Sequence, residues 1–178
     1  MRDLRIEWGL SNDEWEDELD FGSIGDALRR HGQALEVLEL DCREAYPCAY
    51  EYDEDDLGHI GSLRELARLK KLTLPLDMLI GRQEDDDVAD DTDYLAAWPC
   101  QLGEFLPPSL EQLHFLSCLD DELQLDDQLF DVIAPGDKHI GSLREVILDE
   151  RETGFSRQIS DFGWVVSMTD ARIVLQKM

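Results

Sequence analysis

Residues 69–74 read Leu-Lys-Lys-Leu-Thr-Leu, and the same apolar spacing returns three more times. Leu35–Leu40 reads LEVLEL, Leu110–Phe115 reads LEQLHF, and Leu143–Leu148 reads LREVIL. An apolar step of two puts both side chains on one face of a strand. The fourth and sixth positions of each hexamer therefore point inward, and its first leucine turns in just before the strand. The first leucines stand 34, 41 and 33 residues apart. Intervals of that length leave room for a strand and a connection that crosses back to start a parallel neighbour. Ile173-Val174-Leu175 is a fifth candidate near the C terminus.

The connections carry their own signals. In Phe21–Gly32, Ile24, Ala27, Leu28 and His31 recur at helical spacing. Ser23 is the expected cap, with Asp26 three residues on, and Gly32 the expected stop. Leu63, Leu66 and Ala67 predict a second short helix within 60–69, capped by Ser62. Pro107 and Pro108 forbid a regular helix in the connector before Leu110 and hold it extended or turned. The heptamer HIGSLRE occurs at both 59–65 and 139–145. Its place relative to the next strand assigns the first copy to a helix and the second to a strand start. Leu123, Leu125, Leu129 and Val132 interrupt an acidic run and allow a packed turn or helix. Residues 159–162 suit a short helix, and 171–176 a terminal strand that shields the last repeat.

Of the 178 residues, 16 are basic and 42 acidic, a net charge of −26. At 43% hydrophobic residues the chain is nonetheless expected to fold, as one domain over 1–178. The acids cluster at 13–20, 50–56, 84–93 and 120–131, with seven in the ten residues 84–93. Like charges at that density belong in solvated loops. Residues 1–20 are expected to form an acidic N-terminal segment and 84–93 a mobile acidic loop. This charge disfavours direct nucleic-acid binding and anionic membranes, and favours a protein partner, a basic one above all. The first residues are charged, unlike a signal or transit segment, and no apolar stretch nears the ~20 residues that cross a bilayer. Cytoplasm or nucleus is the expected location. Cys42, Cys48, Cys100 and Cys118 lack a disulfide or zinc pattern and read as buried thiols. The nearest calcium-loop match, from Asp53, fails at Leu57 and Arg64, where oxygen ligands are needed. No nucleophile elbow, P-loop, dinucleotide or zinc-protease motif occurs. The expectation is no cofactor, no metal and no enzyme.

The remaining strand positions point outward: Val37 and Glu39, Lys71 and Thr73, Gln112 and His114, Glu145 and Ile147. Of these, Glu39, Lys71, Thr73, Gln112, His114 and Glu145 are the partner-binding candidates. His114 is placed to pair with Glu145 or Thr73 of a neighbouring strand. Lys70–Lys71 stands out against the acidic background, relieving repulsion or meeting a partner. Trp8, Trp98 and Trp164 are expected in the core or at its ends, and Trp15, inside an acidic run, over an open end.

The segments 34–46, 60–81, 105–115 and 140–148, above all IGSLRELARLKKLTLPLDMLIG and LPPSLEQL, resemble the leucine-rich-repeat region of fungal F-box-like and related proteins. The resemblance covers the centre of the chain better than its ends. It implies a short, irregular leucine-rich-repeat solenoid of the α/β class, with parallel strands, helical or irregular crossovers and acidic loops. It also implies a non-enzymatic protein-binding module, the substrate-recognition part of a ubiquitin-ligase adaptor. The 34 residues before Leu35 leave no room for an F-box. The positions of the usual Asn ladder hold Arg43, Asp77, Cys118 and Arg151, of which only Cys118 fits. The alternative, from charge, is an acidic nucleic-acid mimic or histone-binding protein.

Overall fold

The computed structural model describes residues 1–8, 20–42, 59–80, 101–116, 122–136, 140–149, 158–169 and 172–178. The expected acidic loops at 50–56 and 84–93, Trp15, Trp98, Cys48, Cys100 and Cys118 lie outside them. The fold is α/β. Seven strands form one open sheet in the order β1-β2-β3-β4-β5-β7-β6. They are β1 (Asp3–Glu7), β2 (Val37–Asp41), β3 (Lys71–Leu74), β4 (Gln112–Phe115), β5 (Glu145–Leu148), β6 (Trp164–Thr169) and β7 (Arg172–Lys177). Strands β1 to β5 run parallel, and the β6–β7 hairpin adds antiparallel to β5.

The register is the one the hexamers dictate. Leu38, Leu72, Leu113 and Val146 are mutual neighbours across β2–β5, and all four are fully buried. Leu74, Phe115 and Leu148 form the next buried row, and Leu35, Leu69, Leu110 and Leu143 turn in ahead of the strands. Each copy enters its strand through the same backbone contact. The N–H groups of Lys70 and Lys71 both donate to Glu36 O, those of Glu111 and Gln112 to Lys70 O, and those of Arg144 and Glu145 to Glu111 O. Ser109 Oγ donates to Leu69 O at 2.8 Å, and Ser142 Oγ lies 2.8 Å from Leu110 O. The serine ahead of a repeat's first leucine thus ties it to the first leucine of the repeat before.

Strand β1 was not expected. Its Leu4 and Ile6 align with Leu38 and Leu40, and Glu36 and Val37 donate to Arg2 O just as later copies do. Met1–Ile6 is therefore a fifth copy, 34 residues ahead of Leu35, disguised by charges at its outward positions. The residues entering the strands alternate in sign: Arg2, Glu36, Lys70, Glu111, Arg144. Arg2–Glu36 and Lys70–Glu111 close to 3.6 and 3.1 Å. Exposed pairs add at most about 1 kcal/mol each. Alternation also keeps like charges off adjacent strands, which supports this strand order. Lys70 is thereby occupied with Glu111, within the sheet.

The core lies on one side of the sheet, covered by α1 (Phe21–His31), α2 (Leu76–Ile80), α3 (Leu102–Phe105), α4 (Glu122–Ile133) and the segment 60–69. Helix α1 starts earlier than expected. Asp20, not Ser23, is the N-cap, its carboxylate accepting from Ser23 N at 3.0 Å. The buried stripe is Phe21, Gly25 and Leu28, while Ala27 and His31 are exposed. Gly32 ends the helix as expected.

The expected helix within 60–69 is two tight turns instead. Leu63, Leu66 and Leu69 are buried and the residues between them exposed, a period of three rather than 3.6. Leu66 N donates to Leu63 O and Leu69 N to Leu66 O, while Leu63 N goes to Phe105 O of another connection. Ser62 is not a helix cap. It donates to Glu104 O at 3.1 Å and accepts from Arg64 N at 3.3 Å. The described parts of the two HIGSLRE copies differ, but not as helix against strand start: Glu145 opens β5, whereas Arg64–Glu65 lie in a turn rather than the expected helix. Before Leu110 a one-turn helix, α3, forms and stops ahead of Pro107, with Pro108–Ser109 in a turn.

Leu125, Leu129 and Val132 bury one face of α4, and Ser160–Phe162 form a single 3₁₀ turn. The expected terminal strand is β7, but it is antiparallel, and the unexpected β6 lies beyond it. Trp164 and Cys42 are buried, and Trp8 packs against the core edge.

Candidate functional site

The face opposite the core is where the sequence placed its candidates, and the sheet brings all six together. Lys71, Gln112 and Glu145 are neighbours in one row across β3–β5. Glu39, Thr73 and His114 are neighbours in the next, across β2–β4. The first row continues through Val37 and Asp3 on one side and Gln176 and Val165 on the other. The second continues through Arg5 on one side and through Ile147, Val174 and Ser167 on the other.

Neighbours fix most of the polar side chains. Glu39 pairs with Arg5 at 3.3 Å. Glu145 accepts from Gln112 Nε2 on one flank and from Gln176 Nε2, at 2.8 Å, on the other. Two amide donors so placed satisfy the carboxylate without neutralising its charge. Ile147 and Val174 lie side by side beyond His114, a half-buried apolar pair within the polar face.

His114 pairs with neither Glu145 nor Thr73. Its Nε2 lies 2.9 Å from Asp149 Oδ2, while its direct neighbours are Thr73 and Ile147. Asp149 is reached one step past the end of β5, where Asp149 N donates to Phe115 O and extends the ladder. Its carboxylate is buried and also takes two hydrogen bonds from Arg172, Nε at 2.5 Å and Nη2 at 3.1 Å. Burial alone would raise the Asp149 carboxyl. The hydrogen bonds from Arg172 and His114 outweigh it and hold the group below the ordinary carboxylate range. With Asp149 ionised, His114 Nε2 carries the proton it donates. The cluster pins β7, and with it the terminal hairpin, to the parallel part of the sheet.

Sequence reasoning missed Asp149, Arg172, Gln176 and Arg5. Asp149 was within reach of it, two residues past Ile147 and so on the same face. Arg172 and Gln176 needed the antiparallel direction of β7, which no hexamer signals.

Among the described residues, three cations stand on this face: Arg5, Lys71 and Arg172. Arg5 and Arg172 are ion-paired. Lys71 is exposed, and among the described residues no carboxylate pairs with it. Also among the described residues, no three His, Cys, Asp or Glu side chains gather to hold a metal, and no helix is long and apolar enough to cross a membrane.

No protein-family model, curated protein or solved structure matches the chain. Its functional reading therefore rests on the geometry of the face and the distribution of charge.

Proposed function

We propose that the chain is a non-enzymatic protein-binding module of the irregular leucine-rich-repeat type, which grips its partner across the outward strand face. One observation carries the reading: Lys71, an exposed cation that no carboxylate among the described residues neutralises, stands beside Gln112 and Glu145, whose side chains hold one another. A protein of charge −26 gains electrostatically by pairing its few lysines internally, as Lys70 does with Glu111. Lys71 is left for an acceptor on the partner, with Thr73 and His114 beside it. Gln112, Glu145 and His114 near it are already held by their neighbours, so ordering them on docking costs little conformational entropy. The partner is basic overall, drawn in by the acidic field, and presents one acidic or carbonyl group to Lys71. The resemblance to F-box-like repeat regions makes a ubiquitin-ligase substrate the leading class of partner.

The charge favours a second reading, an acidic mimic or histone-binding protein, in which the runs at 50–56 and 84–93 bind and the sheet is their scaffold. Capture from lysate at low salt and at ~0.5 M salt separates the two, because exposed charge pairs are screened at the higher value. A partner retained at high salt by the wild type and lost by Lys71→Glu supports the strand face. Basic proteins that elute with salt, indifferent to Lys71→Glu, support the second reading.

A further inference from the structure

We propose that β6 is a self-association edge, through which two copies of this chain pair antiparallel about a two-fold axis and continue the sheet across the dimer. The inference is independent of the strand-face reading.

Strand β6 ends the sheet, with β7 its one neighbour among the described residues. Met178 N donates to Gly163 O, and the register pairs Val165 with Gln176 and Ser167 with Val174. In an antiparallel ladder hydrogen-bonded pairs alternate with non-bonded ones. Val165, Ser167 and Thr169 therefore spend their backbone groups on β7. Val166 and Met168 turn theirs outward to the edge.

The side chains make the edge unusual. Val165, Val166 and Met168 are 46, 39 and 47% exposed, and the other exposed large apolar residues among those described are the terminal Met1 and Met178. The strand, WVVSMT, carries no charge and no proline, the two devices that usually guard an edge. The opposite edge, β1, is guarded by Asp3, Arg5 and Glu7.

Charge selects a second copy as the occupant. Residues 141–178 hold five basic and six acidic residues, a net of −1, against 11 and 36 in residues 1–140. Pairing at β6 therefore joins the least acidic stretch of each chain. A two-fold interface must be self-complementary. An uncharged strand whose Val166 and Met168 both donate and accept meets that condition.

Sedimentation velocity on the full chain, across micromolar concentrations at ~0.15 M salt, tests this. The expected species has twice the 20.4 kDa chain mass, and persists or strengthens as salt is raised. Val166→Lys puts a charge at the edge. Met168→Pro removes an N–H that β7 does not use, so the hairpin keeps its ladder. Both variants should sediment as monomers with unchanged circular dichroism. A wild-type monomer throughout, a dimer that salt disperses, or a dimer surviving in folded variants would overturn the proposal.

Discussion

Replacing Gly25 with alanine sets local preference against tertiary contact. Gly25 sits mid-way along α1, where alanine is favoured over glycine by about 1 kcal/mol. Read from the helix alone, Gly25→Ala stabilises the protein. The structure reverses the sign. A Cβ at Gly25 would stand 2.1 Å from Ile60 O, 2.9 Å from Ile60 C and 3.0 Å from Ile60 Cα. Those are backbone atoms, and they cannot swing aside as a side chain would. The segment is held from both sides: Ile60 N donates to Met78 O beyond it, and Arg29 Nη1 of α1 donates to Ile60 O at 2.6 Å. Relief requires α1 to lift off, weakening the Arg29 bond and the packing of Phe21 and Leu28. Overpacking of this kind costs about 1–3 kcal/mol or more, which exceeds the helix gain at all but its lower end. We expect a net loss of about 1–2 kcal/mol, a drop in Tm of several degrees for a domain of this size. Gly22→Ala is the contrast, since its nearest neighbour is side chain rather than backbone, the capping Asp20 Oδ1 at 3.1 Å, which a shift of a few tenths of an ångström relieves. Thermal and urea unfolding of the three proteins decide the matter. A Gly25→Ala protein as stable as wild type or more so would refute the packing of α1 on Ile60.

Further expectations concern the sheet. Asp149→Asn should cost about 1–3 kcal/mol at neutral pH, because the hydrogen bonds to its charged carboxylate weaken. Since that carboxyl is depressed in the folded state, its contribution is fully present above its unfolded value near pH 4 and is lost as pH falls through the lower folded value. Acid titrations should therefore show wild type and variant converging below about pH 4; parallel curves would exclude the Asp149 cluster as the cause. Ser109→Ala, which deletes the tie to Leu69 O, should cost about 1 kcal/mol in urea unfolding. Lys70→Glu places three acids in adjacent register and should destabilise by up to about 1 kcal/mol, less so as salt is raised. A salt-independent loss would point to packing rather than charge.

The parallel sheet was legible because a hexamer with an inward step of two leaves one workable register. Met1–Ile6 escaped notice because its outward positions are charged, although Leu4 and Ile6 kept the step. The 60–69 turns were misread because Leu63, Leu66 and Leu69 satisfy a period of three and nearly satisfy 3.6. The arbiter is Phe105 O, which takes the Leu63 N–H, and it lies 42 residues away. Asp20 took the cap from Ser23 because Phe21, just before the expected start, had core to reach. On the site, the outward residues followed from parity, so all six candidates share a face. The His114 partner did not, because Asp149 lies past the strand end and its second donor, Arg172, arrives on an antiparallel strand.

On the proposed function, binding resides on the strand face and not in the acidic runs. Titrating a captured partner against wild type, Lys71→Glu and a protein with the acids of 84–93 changed to asparagine and glutamine tests it most directly, at ~0.15 and ~0.5 M salt. Strand-face binding predicts at least a tenfold loss for Lys71→Glu at both salts, and for the neutralised loop a slower association that high salt erases. Full affinity in Lys71→Glu, with binding abolished by neutralising 84–93, would contradict it.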